Sequence, residues 1–250
     1  MWIHPRILAH RGGGTLAPEN TFAGLRAGMQ AGFRAIEFDV MLARDGVPVV
    51  MHDPALGRTV KGGGSVFEHD AADLAAMDAG SWFGAAFAGE KVPLFADFAA
   101  FCKAHGIWMN IEIKPAPGFE AATGATVARL AAAMFADEIA RGELARLPLL
   151  SSFSDTALAA ARQAAPGLPR ACLISSLGGD WLARATVLGA TAVHTNHLHL
   201  GVDEARAVKE AGLGLFCYTV NDPGRARELL AMGVDAFCTD RIDLIGPDFA

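Results

Sequence analysis

The amino-acid sequence predicts an α/β protein built as a (β/α)8 barrel. Short apolar runs alternate with Ala-rich helical stretches almost to the end of the chain, giving eight evenly spaced strand–helix units. Polar residues gather at the same, C-terminal end of nearly every strand, which is where such barrels place their active sites. No linker or low-complexity stretch divides the chain, so its 250 residues read as one barrel domain, 1–250. An open doubly wound sheet is the competing arrangement, and the even spacing favours closure.

The elements follow in order. Ile7 to His10 is a strand, and Asn20 to Ala31 a helix stopped by Gly32. Ala35 to Leu42 is the second strand. Arg44-Asp45-Gly46 is a turn, after which Val47 to Met51 returns as a hairpin arm. Residues from about 53 to 92 are Gly-rich and irregular, with one short helix at Asp70 to Met77. Leu94 to Ala104 is helical. Trp108 to Ile113 is the third main strand, and Ala121 to Phe135 the next helix. Leu149 to Ser152 is a strand, and Ser154 caps the helix that runs to Ala164. Three further pairs follow: Ala171 to Ile174 with Trp181 to Leu188, Ala192 to Thr195 with Asp203 to Ala211, and Leu215 to Val220 with Pro223 to Met232. Ala236 to Thr239 is the eighth strand, and its helix is short or missing at Asp243 to Phe249.

Composition narrows the function. Of the residues, 52% are hydrophobic and 19% charged, enough to bury a large core. The net charge of -6 and the lack of a long basic run argue against a nucleic-acid partner. Cys102, Cys172, Cys217 and Cys238 form no CxxC pair, and three of them sit in apolar strand-like runs, as buried thiols in a reducing compartment do. There is no apolar signal core at the N-terminus and no run long enough to span a bilayer. These features predict a cytoplasmic protein with no stable membrane insertion.

Acidic residues stand where a core strand should be apolar. Glu37 and Asp39 share one face of their strand, and Asn110, Glu112 and Lys114 share one face of theirs. Ile36, Phe38 and Val40, and Ile111 and Ile113, take the opposite faces. Carboxylates aimed into a protein are costly unless compensated, and a divalent cation compensates them. Glu37, Asp39 and Glu112 therefore make a candidate all-oxygen site for Mg²⁺ or Ca²⁺. The competing reading is a solvated strand face, which strands of a closed barrel seldom offer.

His10 and His52 are the candidate acid/base pair, since imidazole titrates near neutral pH and two can serve opposite faces of one reaction. Asp53 is placed either to orient His52 or to complete the metal shell. Arg11 and Lys114 are cations suited to a phosphate or to pairing with the carboxylates. Gly12-Gly13-Gly14 is either a phosphate cradle or a tight turn. His4, His69 and His105 read as surface or capping residues, and His194, His197 and His199 as weaker candidates for lining the mouth. Trp82, Phe83 and Phe87 either cover the pocket or pack on the barrel rim.

These residues fall in a recognisable order. His10-Arg11-Gly12, Pro18-Glu19-Asn20-Thr21, Glu37-Phe38-Asp39-Val40 and His52-Asp53 resemble the motifs of the glycerophosphodiester phosphodiesterase family. The likeness continues through Leu56, Arg58 and Thr59, Gly80-Ser81-Trp82-Phe83, Glu112-Ile113-Lys114 and Tyr218-Thr219-Val220-Asn221 to Gly233-Val234-Asp235 and Thr239-Asp240. Each motif alone is weak, but the ordered set is specific and covers nearly the whole chain. The resemblance implies a TIM barrel with a small insertion after strand 2, at about 53–92. It implies hydrolysis of a glycerophosphodiester to sn-glycerol 3-phosphate and an alcohol. It implies a divalent metal held by Glu37, Asp39 and Glu112, His10 and His52 as base and acid, and Arg11 and Lys114 on the phosphate. Pro93-Leu94-Phe95-Ala96-Asp97 departs from the family pattern, which often has a Thr and a second acid there. A lysophospholipase D-like phosphodiesterase acting on a lipid, and a barrel that binds glycerophosphodiesters without turnover, are the alternatives.

Overall fold

The computed structural model describes residues 2–250. In chain order the elements are β1 (Ile7–His10), α1 (Phe22–Gln30), β2 (Ala35–Leu42), β3 (Pro48–Val50), α2 (Ala71–Ala76) and α3 (Phe95–Ala104). Then come β4 (Trp108–Ile113), α4 (Glu120–Met134), α5 (Ala136–Arg141), β5 (Leu149–Ser152), α6 (Asp155–Ala164) and β6 (Arg170–Ile174). The chain closes with α7 (Trp181–Leu188), β7 (Ala192–Asn196), α8 (Val202–Glu210), β8 (Gly214–Tyr218), α9 (Pro223–Ala231) and β9 (Ala236–Thr239).

Eight of these strands form a closed parallel barrel in the order β1-β2-β4-β5-β6-β7-β8-β9, with β9 pairing back onto β1. The closure follows from the side-chain alternation. Outward positions such as Phe38, Ile111, Leu150, Val193, Cys217 and Phe237 pack with the helices in one continuous apolar layer. Inward positions such as Leu8, Ala35, Leu149, Ala171, Ala192, Phe216 and Ala236 fill the lumen.

The lumen has two halves of different chemistry. Towards the N-terminal ends of the strands it is apolar, and the small side chains of Ala35, Ala171, Ala192 and Ala236 leave room for Trp108 and Trp2. The Trp2 ring lies 6.1 Å from that of Trp108 and 6.2 Å from that of Phe216. A Cβ at Gly214 would stand 2.8 Å from the Trp2 ring, so glycine is required there by close approach. Towards the C-terminal ends the inward positions become polar, as expected for the active-site end. His4 is not the surface residue expected: it stacks on Trp108 at 4.5 Å, and burial lowers its pKa to about 4.

Local signals explain most boundaries. Ser154 caps α6 by accepting from the Ala157 N–H, and Asp222 caps α9 by accepting from the Arg225 N–H, with Pro223 at the helix start. α1 starts two residues later than expected, because the Thr21 side chain caps it and Asn20 takes a left-handed φ of 56°. The helix expected to end at Phe135 resumes as α5, which stops at Gly142 in the left-handed region.

β3 pairs antiparallel with the far half of β2, with Val40 opposite Val50 and Leu42 opposite Pro48. The excursion that follows, up to α3, builds a small core of its own around Met41, Val49, Val60, Val66, Leu74 and Val92. Its return is fixed by backbone: the Val50 N–H donates to the Pro93 carbonyl, and Val49 bridges Leu94. At the departure from the family pattern, Leu94 sits at the N-cap of α3 and offers it no side-chain cap.

Candidate active site

The three carboxylates converge at the C-terminal mouth of the barrel. Glu37 and Asp39 point inward from β2, and Glu112 points inward from β4, directly opposite Asp39 in the strand register. One oxygen from each lies within 4.8 Å of the other two. Asp39 is 1% exposed and is held on one side by Asn20, whose Nδ2 donates to Asp39 Oδ2 at 2.9 Å. The left-handed backbone of Asn20 turns that side chain inward, a conformation Asn tolerates better than most residues.

Two cations partly balance this charge. Arg11 Nε is 3.5 Å from Asp39, and Lys114 Nζ is 3.7 Å from Asp39 and 3.5 Å from Glu112. Burial pushes the Asp39 carboxyl up, but Arg11, Lys114, His52 and the Asn20 hydrogen bond outweigh it and hold it below the usual range. Glu37 and Glu112 go the other way. Burial and then the Asp39 charge raise Glu37 well above its ordinary value, and raise Glu112 to about 7. The chain's own cations therefore leave the cluster short of positive charge. Three hard oxygen donors in that state fit a divalent cation such as Mg²⁺ or Ca²⁺.

Both candidate histidines are oriented through the same ring atom. His10 Nδ1 lies 2.6 Å from Asp240 Oδ1, and His52 Nδ1 lies 2.7 Å from Asp53 Oδ1. A carboxylate only accepts, so each Nδ1 carries a proton and each ring is left with Nε2 as its reacting atom. His10 Nε2 is 3.6 Å from Glu37 Oε2, beside the carboxylate cluster. Burial, with Arg11 and Lys114, lowers the His52 pKa against the pull of Asp39, so this imidazole is neutral at pH 7.

The orienting carboxylates are themselves held. Asn221 Nδ2 donates to Asp240 Oδ2, while Asn221 Oδ1 accepts from the Asp240 backbone N–H. Burial pushes Asp53 up, but hydrogen bonds from Arg58 and His52 bring it down to about 2. Arg58 also donates two hydrogen bonds to Glu19, at 2.6 and 2.8 Å, and Glu19 in turn accepts from Arg11. Asp53 thus orients His52. Glu19, Asn20 and Arg58 were visible only as motif letters, and Asn221 only as one of the polar residues at the strand ends, since their roles depend on partners elsewhere in the chain.

His10, Arg11, Glu37, His52, Glu112 and Lys114 line one cavity of about 150 Å³. The remaining expectations resolve one by one. Gly12, Gly13 and Gly14 are a tight turn: a Cβ would meet α1 backbone at 3.0 and 2.8 Å for the first two, and the Asp240 carbonyl at 2.1 Å for Gly14. Trp82, Phe83 and Phe87 pack edge-to-face on one another within the excursion and do not line the cavity. His105 Nδ1 donates to the Phe101 carbonyl as the C-cap residue of α3, and His69 sits against the Gly63 carbonyl. His194 lies not at the mouth but deep in the lumen, stacked on Phe216 at 4.4 Å.

The sequence profile of the Glycerophosphoryl diester phosphodiesterase family matches residues 10–244. The chain belongs to this family. The phosphodiesterase of Oleispira antarctica, solved in complex with the product sn-glycerol-3-phosphate, superposes with a TM-score of 0.85 at 33% identity, over 94% of this chain and 93% of that one. YhdW of Bacillus subtilis (strain 168) is 32% identical over 248 residues, 97% of each chain. The glycerophosphodiester phosphodiesterase of Caldanaerobacter subterraneus subsp. tengcongensis is 29% identical over 239 residues, 94% of this chain and 93% of that one. The chain is thus a glycerophosphodiester phosphodiesterase by family, on a (β/α)8 barrel. No helix among the described residues is long and apolar enough to cross a membrane.

Proposed function

We propose that this enzyme hydrolyses glycerophosphodiesters to sn-glycerol 3-phosphate and an alcohol, dependent on a divalent cation, with His10 and His52 exchanging the two protons. The observation that carries the reading is the placement of two imidazoles, each with Nδ1 on a carboxylate and Nε2 left to react, beside an acidic cluster and two cations in one small cavity. Glu37, Asp39 and Glu112 hold the cation, which supplies Lewis-acid stabilisation of the developing phosphate charge. Arg11 and Lys114 hold the phosphodiester oxygens and reduce the charge that repels a nucleophile. One imidazole takes the proton of the attacking oxygen, and the other gives a proton to the leaving alcohol. Asp240 and Asp53 fix the two rings and stabilise the imidazolium form of each, the one that starts protonated and the one that gains its proton. The four buried free thiols suit a reducing compartment and so a cytoplasmic location.

The direct test is release of glycerol 3-phosphate from glycerophosphocholine by the purified protein, with Mg²⁺ or Ca²⁺ or with chelator. Metal-dependent release is expected. No release with either cation, repeated with ethanolamine, glycerol and inositol head groups, would move the assignment to a lipid substrate or a binding protein.

The raised carboxyls give a second expectation. Glu112 titrates near 7 when folded and near 4.5 when unfolded, so between those values the folded state binds more protons. Metal-free stability therefore falls as pH rises from about 4.5 to about 7. Bound Mg²⁺ or Ca²⁺ offsets that loss, so the gain in Tm on adding either cation should be small at pH 5 and larger at pH 8. An equal gain at both would mean that the cation binds away from these carboxylates.

A further inference from the structure

A second cavity lies at the other end of the barrel from the carboxylates. Arg170, Ala192 and Gly214, the first residues of β6, β7 and β8, line it, so it belongs to the N-terminal face. Its volume is about 370 Å³, within the range of small-molecule sites. Trp2, Ile3, Leu144, Leu149, Leu168 and Pro169 give it carbon walls. Two polar groups interrupt them. Arg170 is 7% exposed, and no acidic group among the described residues balances its charge; the charged group it feels is another cation, Arg162. Arginine is almost never so buried unless paired, because an uncompensated charge is costly away from water. Its Nε, Nη1 and Nη2 donate to the carbonyls of Leu188, Leu168 and Gly189, at 3.4, 2.6 and 3.2 Å. A guanidinium also carries a second N–H on each terminal nitrogen, and those two are left over. The other polar group is His4, whose Nδ1 is buried with no partner.

We propose that this cavity binds a small amphipathic anion, a carboxylate carried on an apolar chain or ring, with the carboxylate on Arg170 and the apolar part against Trp2, Leu149 and Leu168. The chemistry of the lining selects that class. A carboxylate only accepts and a guanidinium only donates, and a hydrogen bond between the two charged groups is among the stronger ones. The carbonyls that Arg170 already reaches bring no net charge, so an anion supplies what they do not. An ammonium would face Arg170 and Arg162 with no acid to meet it. A fully polar anion would leave the carbon walls without a partner. His4 is neutral, and its Nδ1 donates or accepts according to its tautomer. Ile3 and Leu144, each about half exposed, form the rim. The site is independent of the reaction at the mouth, since its lining shares no residue with the cavity that holds His10 and His52.

The test titrates octanoate, 1-octanol and octylammonium into the full chain by calorimetry, below the concentrations at which they aggregate. The three share one chain and differ in head group. Octanoate should bind about tenfold tighter than octanol, the scale of one charge-assisted hydrogen bond, and octylammonium more weakly than either. Arg170→Met keeps the reach of the side chain and removes its charge, so octanoate should fall to the affinity of octanol while octanol holds its own. Leu144→Asp sets a negative charge on the exposed rim and should also weaken octanoate more than octanol. It decides the matter if Arg170→Met does not fold, as judged by circular dichroism. Octanoate binding no tighter than octanol, or not at all, would mean that Arg170 only closes the end of α7, and would overturn the proposal. So would a preference for octanoate that survives in a folded Arg170→Met, which would put the anion at Arg11 and Lys114 instead. Where Arg170→Met is unfolded, an unchanged preference in Leu144→Asp would overturn it equally. Loss of the preference in a folded Arg170→Met sustains it, whatever the chain does to glycerophosphodiesters.

Discussion

Glu37→Gln combined with Glu112→Gln should abolish turnover of glycerophosphocholine and the response to Mg²⁺ or Ca²⁺ together. The change is nearly isosteric, so packing in the lumen is preserved while two of the three anionic donors are lost. The remaining carboxylate, Asp39, is already engaged by Asn20, Arg11 and Lys114. A single carboxylate so occupied does not make a site for a hard dication, which takes several oxygen ligands. The pair of substitutions also removes the two groups that burial and Asp39 raise, so the metal-free variant should melt at a higher temperature than the metal-free parent at pH 8. Activity and stability thus move in opposite directions, which separates loss of the cation site from misfolding. Retained metal-dependent activity would place the site elsewhere.

His10→Ala and His52→Ala should each lower the rate at least about a hundredfold, roughly 2.7 kcal/mol of barrier, the usual scale for losing acid/base help. The two losses are distinguishable. A substrate with an aryl leaving group such as p-nitrophenol needs no proton, so it should largely rescue the variant that lost the acid and leave the other impaired. The lowered His52 pKa suits this residue to the base role rather than to the acid role expected from the sequence, so the activity it supports should extend below the ordinary imidazole range before protonation removes it. A loss under tenfold in both variants would remove these residues from the reaction. A binding protein would keep affinity for the diester in both and have no turnover to lose.

The barrel was legible because its strands are buried on both faces and read as apolar runs, while the helices between them carry caps and stops at the right spacing. Glu37, Asp39 and Glu112 stood out as violations of that pattern. His10, His52, Arg11 and Lys114 were found by their place at strand ends. What supports them was hidden. Asp240 and Glu19 reach their partners across 230 and 8 residues of sequence, and Asn20 acts through a backbone conformation that composition does not reveal. The triple glycine was ambiguous for the same reason: only the approach of α1 and of the Asp240 carbonyl shows why no Cβ fits. His194 was misplaced because a histidine inside an apolar strand gives no sign of its depth.

Arg58 lies in the excursion between β3 and α3, whose apolar cluster is separate from that of the barrel, yet it grips Asp53 and Glu19 at the mouth. Such a piece can open locally while the rest of the molecule stays folded. Its opening would free Asp53 from Arg58 and leave the ring of His52 less firmly held, while Arg11 keeps Glu19. On heating, turnover is expected to fall before the circular dichroism of the barrel does.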